Sequence, residues 1–106
     1  MGLTSAVTFA GDLSPAQSAQ MHLELKNSMQ AMHDGMQKGM MSNDPDIAFA
    51  AGMLPHHVGA VDMAKIELKY GSDPEMRQLA KNIIASQDKE IKQMQSWLKA
   101  HGQLSK

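Results

Sequence analysis

Three helix-start signals divide the chain into segments of similar length. Each is a capping residue followed by proline: "SPAQ" at residues 14–17, "NDPD" at 43–46 and "SDPE" at 72–75. Serine and aspartate side chains accept hydrogen bonds from the free amides of a first helical turn, and proline suits that turn because it has no amide proton to lose. Gly71 and Gly102 stand where helices commonly end. The pattern predicts helices over about residues 15–41, 45–70 and 74–101.

Short connections between these segments favour an all-α, antiparallel helical bundle. Pro55 lies inside the second segment, with Gly52 nearby, and is expected to kink that helix or divide it into two pieces. A divided second helix would bring the number of helices towards four. Residues 14–106 are then one helical domain, and residues 1–13 are interpreted as a disordered terminus or the remnant of a signal peptide.

The composition argues against several functional classes. Ten Lys and Arg residues stand against 11 Asp and Glu, so no basic footprint indicates nucleic acid. The absence of cysteine removes disulfides, thiolate metal sites and cysteine nucleophiles. No apolar run approaches the roughly 20 residues of a membrane span. Neither a catalytic triad nor a glycine-rich phosphate loop is visible, so we expect a protein that is not an enzyme.

Methionine is unusually frequent, with 11 in the chain. In the first helix, methionines recur at helical spacing with histidines beside them, and this stripe is expected to point inward. Such a stripe is often core filler or a surface for a partner helix. Thioethers are also soft ligands that suit Cu(I) and Ag(I), and imidazole binds copper, including Cu(II). The candidate ligands here are Met21, His22, Met29, Met32, His33, Met36 and Met40.

A second candidate group surrounds the histidine pair that follows Pro55. Its members are Met53, His56, His57, Met63 and, facing them from the third helix, Met94. Gln87 and Glu90 lie within the apolar stripe of the third helix, where a buried polar group without a partner is costly. Two interpretations stay open. The histidines form a second metal cluster, or at least one of them bonds Glu90 or Gln87 in a structural polar network.

Two segments, "MLPHHVGAVDMAKIEL" and "GSDPEMRQLAKNIIASQDKEIKQMQSWL", resemble the family called domain of unknown function 305 over about residues 45–98. The resemblance rests on the double histidine after proline, the A-x-x-M that follows it, and the run Q-x-x-E-I-x-x-M-x-x-W. It implies a ferritin-like four-helix type of fold and a periplasmic or secreted location, and it points to copper binding and copper resistance. The residues it carries over are Met53, His56, His57, Met63, Gln87, Glu90 and Met94.

These patterns together predict a copper-binding protein of the cell envelope that acts as a buffer or chaperone. Its expected partners are metal ions and a copper exporter or another periplasmic copper protein. Ferritin-type di-iron chemistry is not implied, because that site needs Glu-x-x-His pairs and the chain has none. Three helices of this size give a thin core, and a homodimer through an exposed stripe would thicken it. The alternative is a methionine-rich interaction module without metal.

Overall fold

The computed structural model describes residues 12–101, which form three helices: α1 (Pro15–Gly39), α2 (Pro45–Tyr70) and α3 (Pro74–Ala100). This part of the chain contains no strand, so the all-α prediction is confirmed for it. The helix bounds agree with the predicted ones to within two residues. The interpretation of residues 1–13 falls almost wholly outside the described residues. Between residues 12 and 101, no helix is long and apolar enough to cross a bilayer.

Each helix begins at the cap that its sequence signal predicts. At the start of α1, the Ser14 hydroxyl accepts a hydrogen bond from the Gln17 amide at 3.1 Å. The Gln17 side chain accepts one in return from the Ser14 amide at 2.9 Å, which completes a capping box. The carboxylates of Asp44 and Asp73 accept hydrogen bonds from backbone amides in the first turns of α2 and α3, respectively. These caps fix where the helices start.

α2 is the central element of the fold. It packs against α1 on one side and α3 on the other, and no close backbone contact joins α1 to α3 within the described residues. Residues late in α1 meet the first half of α2, as Gly35 does with Pro55. Glu24, early in α1, bonds Tyr70 at the end of α2. The three helices therefore leave a groove between α1 and α3, floored by α2.

α2 runs through Pro55 as one helix, so the expectation of two separate pieces is wrong. Proline cannot donate to the carbonyl one turn earlier, which is that of Ala51. This carbonyl lies against Gly39 of α1, where a Cβ atom would collide with it. The Pro55 ring lies against Gly35, 2.7 Å from the place where a Cβ would stand. The packing of α1 against this turn supports a helix that proline would otherwise weaken.

Few large side chains are fully enclosed. The buried apolar residues among those described are Ala50, Ala64, Ala80 and Leu98, and Leu98 is the one large side chain among them. Large apolar side chains on all three helices are about half exposed. Small domains depend on a high share of buried surface for stability. The described residues of this chain bury few large side chains completely.

Candidate functional site

One edge of α1 packs on α2 through small residues and methionine. Gly35 and Gly39 pass close over the turn that contains Pro55, as described above. The Met32 sulfur lies over Gly59, only 2.8 Å from the position of a Cβ there. Because glycine lacks a Cβ, the two helix backbones approach closely along this edge. Met32, a predicted ligand, is thus a packing residue.

A second edge of α1 carries what we call the thioether stripe: Met29, His33, Met36 and Met40. Spacings of four, three and four residues place its members next to one another on one face. At 100° per residue, this face lies about a quarter turn from the glycine edge. Met29 is 50% exposed and Met40 is 54% exposed, although Met40 also reaches Gly52. The prediction that the whole methionine stripe points inward is therefore wrong, because the glycines and Met32 occupy the packing edge.

The remaining first-helix candidates lie apart from this stripe. Met21 lines the groove and is half-buried, whereas His22 is exposed. Seven residues separate His22 from Met29, which is about 10 Å along a helix. The structure therefore does not bring Met21 and His22 to the thioether stripe.

His57 is held by hydrogen bonds at both ring nitrogens. Its Nδ1 lies 3.0 Å from the carbonyl oxygen of Met53, and its Nε2 lies 2.7 Å from Oε1 of Glu90 on α3. Each ring nitrogen of His57 therefore lies against an oxygen atom of the protein. The predicted bond between the histidine pair and Glu90 is present through His57.

The other members of the second group differ in exposure and in position along α2 and α3. His56 is exposed, and its ring centroid lies 6.2 Å from that of His57. Met63 is exposed in the groove, and Met94 stands one turn beyond Glu90 on α3. Gln87 does not join the polar network, since its Oε1 is buried without a hydrogen-bond partner. The structure thus supports the structural interpretation for His57, and within residues 12–101 the pair belongs to no group of three His, Asp or Glu side chains that could hold a metal ion.

The groove has a volume of about 960 Å³. Leu25 of α1 and Leu79 of α3 belong to its walls, and Met63 and Ala64 of α2 belong to its floor. The sequence pattern did not indicate it, because an apolar stripe gives no sign of how much of its width a neighbouring helix covers. The available signal was that the apolar stripe of α3 is wider than one packed helix would cover.

Glu24, in the first half of α1, connects that helix to the end of α2, where Tyr70 lines the groove. Its carboxylate accepts hydrogen bonds from Lys69 Nζ at 2.7 Å and from the Tyr70 hydroxyl at 2.8 Å. The bond from Lys69, followed by that from Tyr70, lowers the pKa of Glu24, and the bond to Glu24 raises the pKa of Lys69. Burial, and then the bond to Glu24, raises the pKa of Tyr70. We call these three residues the Glu24 latch.

The available donors favour soft metal ions over hard ones. Within residues 12–101, no three side chains of the His, Asp and Glu types gather in a way that could hold a metal ion. Sites for zinc, calcium or magnesium are normally built from such groups or from cysteine, which is absent. Thioethers are the ligand type that this surface does present in number, and they select Cu(I) and Ag(I).

The family comparison coincides with two of the three helices. The family described as Domain of unknown function (DUF305) matches residues 46–106, a range that takes in nearly all of α2 and the whole of α3. The chain belongs to this family. The histidine pair and Glu90 lie inside the matched range, whereas α1 and its thioether stripe lie outside it. The DUF305 match therefore does not itself account for the methionines of α1.

A viral protein is similar over a shorter range. Uncharacterized protein L153 of Acanthamoeba polyphaga mimivirus is 43% identical over 53 residues, which cover 50% of this chain and 35% of that protein. The matched region thus spans about a third of the relative's length. The remainder of that protein has no counterpart in the match.

Proposed function

We propose that this protein binds Cu(I), with Ag(I) as its surrogate, through the thioether stripe of α1. The observation that carries the proposal is that three thioethers and the His33 imidazole fall at helical spacing on one face of α1, with Met29, His33 and Met40 exposed and Met36 half-buried. Packing does not explain Met29 there, because the glycine edge and Met32 make the contact with α2. The bound ion is cargo, and the protein acts in copper tolerance as a buffer or chaperone without catalysing a reaction.

The chemistry of the stripe suits a cell envelope. Thioethers need no deprotonation before they bind a metal and form no disulfides, so they function in acidic or oxidising surroundings. A periplasmic or secreted location is part of the proposal. A copper exporter or another periplasmic copper protein would then receive the ion. A role like that of the periplasmic copper-binding protein CopM is part of the same proposal.

The fold proposed for the assembled protein is an antiparallel, ferritin-like bundle of the four-helix type. The pairing of late α1 with early α2, and of His57 with Glu90, supports the antiparallel order. The groove is the place that a fourth helix would take. A kink at Pro55 is retained as part of this proposal, within a helix that stays continuous.

Replacing Met29, Met36 and Met40 together with leucine tests the proposed site. Leucine keeps volume and apolar character, so the free energy of unfolding should change by less than about 1.5 kcal/mol. Cu(I) affinity, measured by competition with a chelator on the reduced protein, should fall by more than about tenfold. Met76→Leu is the matched control, since Met76 is a part-exposed thioether outside the stripe. Unchanged Cu(I) affinity in the triple variant would show that the thioether stripe is not the binding site.

The pH dependence separates thioether from imidazole ligands. Thioethers take up no protons, whereas free histidine titrates near pH 6.5. Ag(I) should therefore bind almost as well at about pH 5 as at about pH 7, while any Cu(II) bound at histidine should be lost over that interval. Competition titrations of both ions at both pH values give the comparison. A steep loss of Ag(I) affinity on acidification would show that the histidines, and not the thioethers, are the main ligands.

The groove favours a second candidate function, that of a methionine-rich interaction module. Its apolar walls are suited to a helix, and Met63 and Met76 give it an adaptable surface. Such a module would bind Cu(I) no more tightly than isolated surface methionines do. The triple variant would then still bind its partner protein, whereas substitutions in the groove would abolish that binding.

A further inference from the structure

We infer that a second copy of this chain fills the groove, with α3 of each copy lying between α1 and α3 of the other. The inference does not depend on metal binding. It rests on the size of the groove, on what the three helices leave exposed, and on the charge of the chain.

The size of the groove fits a helix. A helix with its side chains is about 10–12 Å across and rises 1.5 Å per residue, so about 960 Å³ corresponds to roughly two turns. A metal ion would leave such a volume almost empty. The walls belong to two helices that make no close backbone contact with each other, and α2 lies beneath both. The vacant position is therefore that of a neighbouring helix.

An occupant of the groove would cover apolar side chains that the single chain leaves exposed. The described residues enclose one large apolar side chain fully, whereas Met63, Met76 and Leu79 remain about half exposed at the groove. A partner that appears only transiently would leave this surface open to water for most of the protein's lifetime. A second copy is always available in equal amount. With a net charge of −1, two copies repel each other little.

α3 is the helix that the geometry selects. It is 27 residues long, and about two turns of it, around Leu79, would lie in the groove of the other copy. Leu79 lies on the groove wall and is 48% exposed. A two-fold axis near Leu79 lets each copy offer the same wall to the groove of the other.

Sedimentation of the metal-free protein in the presence of a chelator tests the inference. The wild-type chain should be dimeric at micromolar concentration, and Leu79→Glu should weaken the dimer by more than about a hundredfold, because a charge would be buried without a partner. Leu23→Glu is the matched control, since Leu23 is 49% exposed on α1 and does not line the groove. Far-UV circular dichroism of both variants checks that the helices persist.

Cross-linking gives an answer even if Leu79→Glu fails to fold. Because the chain has no cysteine, Leu79→Cys introduces a single thiol. A short bis-maleimide should join two Leu79→Cys chains at high yield and leave Leu23→Cys chains mostly unjoined. A monomeric wild-type chain, or equal cross-linking at both positions, would overturn the inference and leave the groove to a different partner. Neither result would affect the Cu(I) titration of the thioether stripe.

Discussion

Pro55, Gly35 and Gly39 form one packing unit across two helices. The proline leaves the Ala51 carbonyl without its helical donor, and the glycines let the α1 backbone reach that turn. Each residue type is unfavourable by itself inside a helix. The contact between these residues offsets the destabilisation that each causes in its own helix. The packing unit therefore fixes the position of α1 and of its thioether stripe.

Gly39→Ala should destabilise the protein by about 1–3 kcal/mol, because the added methyl meets backbone atoms of Ala51 that cannot swing aside. Gly52→Ala is the matched control, since its methyl meets the flexible and half-exposed Met40 side chain. The gain of about 1 kcal/mol in helix propensity should leave this second variant near wild-type stability. Urea denaturation measures both. Equal losses in the two variants would show that the close approach at Gly39 is not specific.

The bond between His57 and Glu90 was more predictable than the glycine contacts. A histidine and a glutamate on facing stripes were expected to pair, and they lie 2.7 Å apart, with the Glu90 side chain 57% exposed. Gln87 shares the stripe but finds no partner, because stripe membership does not fix the depth or direction of a side chain. Gly35 and Gly39 carried a signal in their one-turn spacing. That signal shows a close approach but not which helix makes it.

At the scale of the elements, an ion pair and a hydrogen bond connect α1 to the end of α2, in addition to the packing between the two helices. The Glu24 latch connects residues 45 or more apart in sequence, and it lies at the rim of the groove. Its three groups shift one another's pKa in directions that all favour the charged carboxylate, the charged amine and the neutral phenol. The latch is therefore strongest at intermediate pH.

Glu24→Gln should flatten the pH dependence of stability. The pKa of Glu24 is lowered from 4.5 by folding, so its contribution is complete above that pH and is lost as the pH falls through the folded value. The raised pKa values of Lys69 and Tyr70 mean that their contributions are present below their ordinary values and are lost as the pH rises through the folded ones. Urea midpoints of wild type and variant across the pH range give the comparison. Parallel curves would exclude the latch as a contributor.

Helix limits followed from the sequence because capping is local. Ser14, Asp44 and Asp73 bond amides within three residues, so no tertiary information is needed to place them. Which edge of α1 faces α2 is a different kind of question. Hydrophobicity favoured the methionines, whereas the contact is made chiefly by glycines that a hydrophobicity pattern counts as neutral. The side of α1 that carries exposed sulfur could not be known before the partner surface was.

At the scale of the whole molecule, the described helices do not close around a core. One large side chain is fully buried, and the groove keeps several others in partial contact with water. The sequence predicted three helices and a thin core but not the open side, because openness depends on how far apart α1 and α3 are held. Membership of DUF305 was likewise predictable from the motifs of α2 and α3. The function of α1 rests on its own chemistry.

The thermal midpoint should rise with protein concentration if stability is shared between two copies. Mass action favours the associated state, and a tenfold increase in concentration should raise the midpoint by roughly 2–5 °C. Metal-free wild type and Leu79→Glu, scanned over the same concentrations, provide the test. The variant should show a lower midpoint that does not move with concentration. A concentration-independent wild-type midpoint would indicate that the three helices are stable alone.

Within residues 12–101, α1 and α3 make no close backbone contact, and this also shapes how the chain reaches its fold. Every pair of packed helices is consecutive in sequence, so each can form as a hairpin without waiting for a distant segment. Chains with such local contacts fold in microseconds to milliseconds. Within one chain, α1 and α3 each pack on a single helix, whereas α2 is supported on both sides. Amide protons of α1 should therefore exchange before those of α2, and the thioether stripe would lie on the segment that opens most readily.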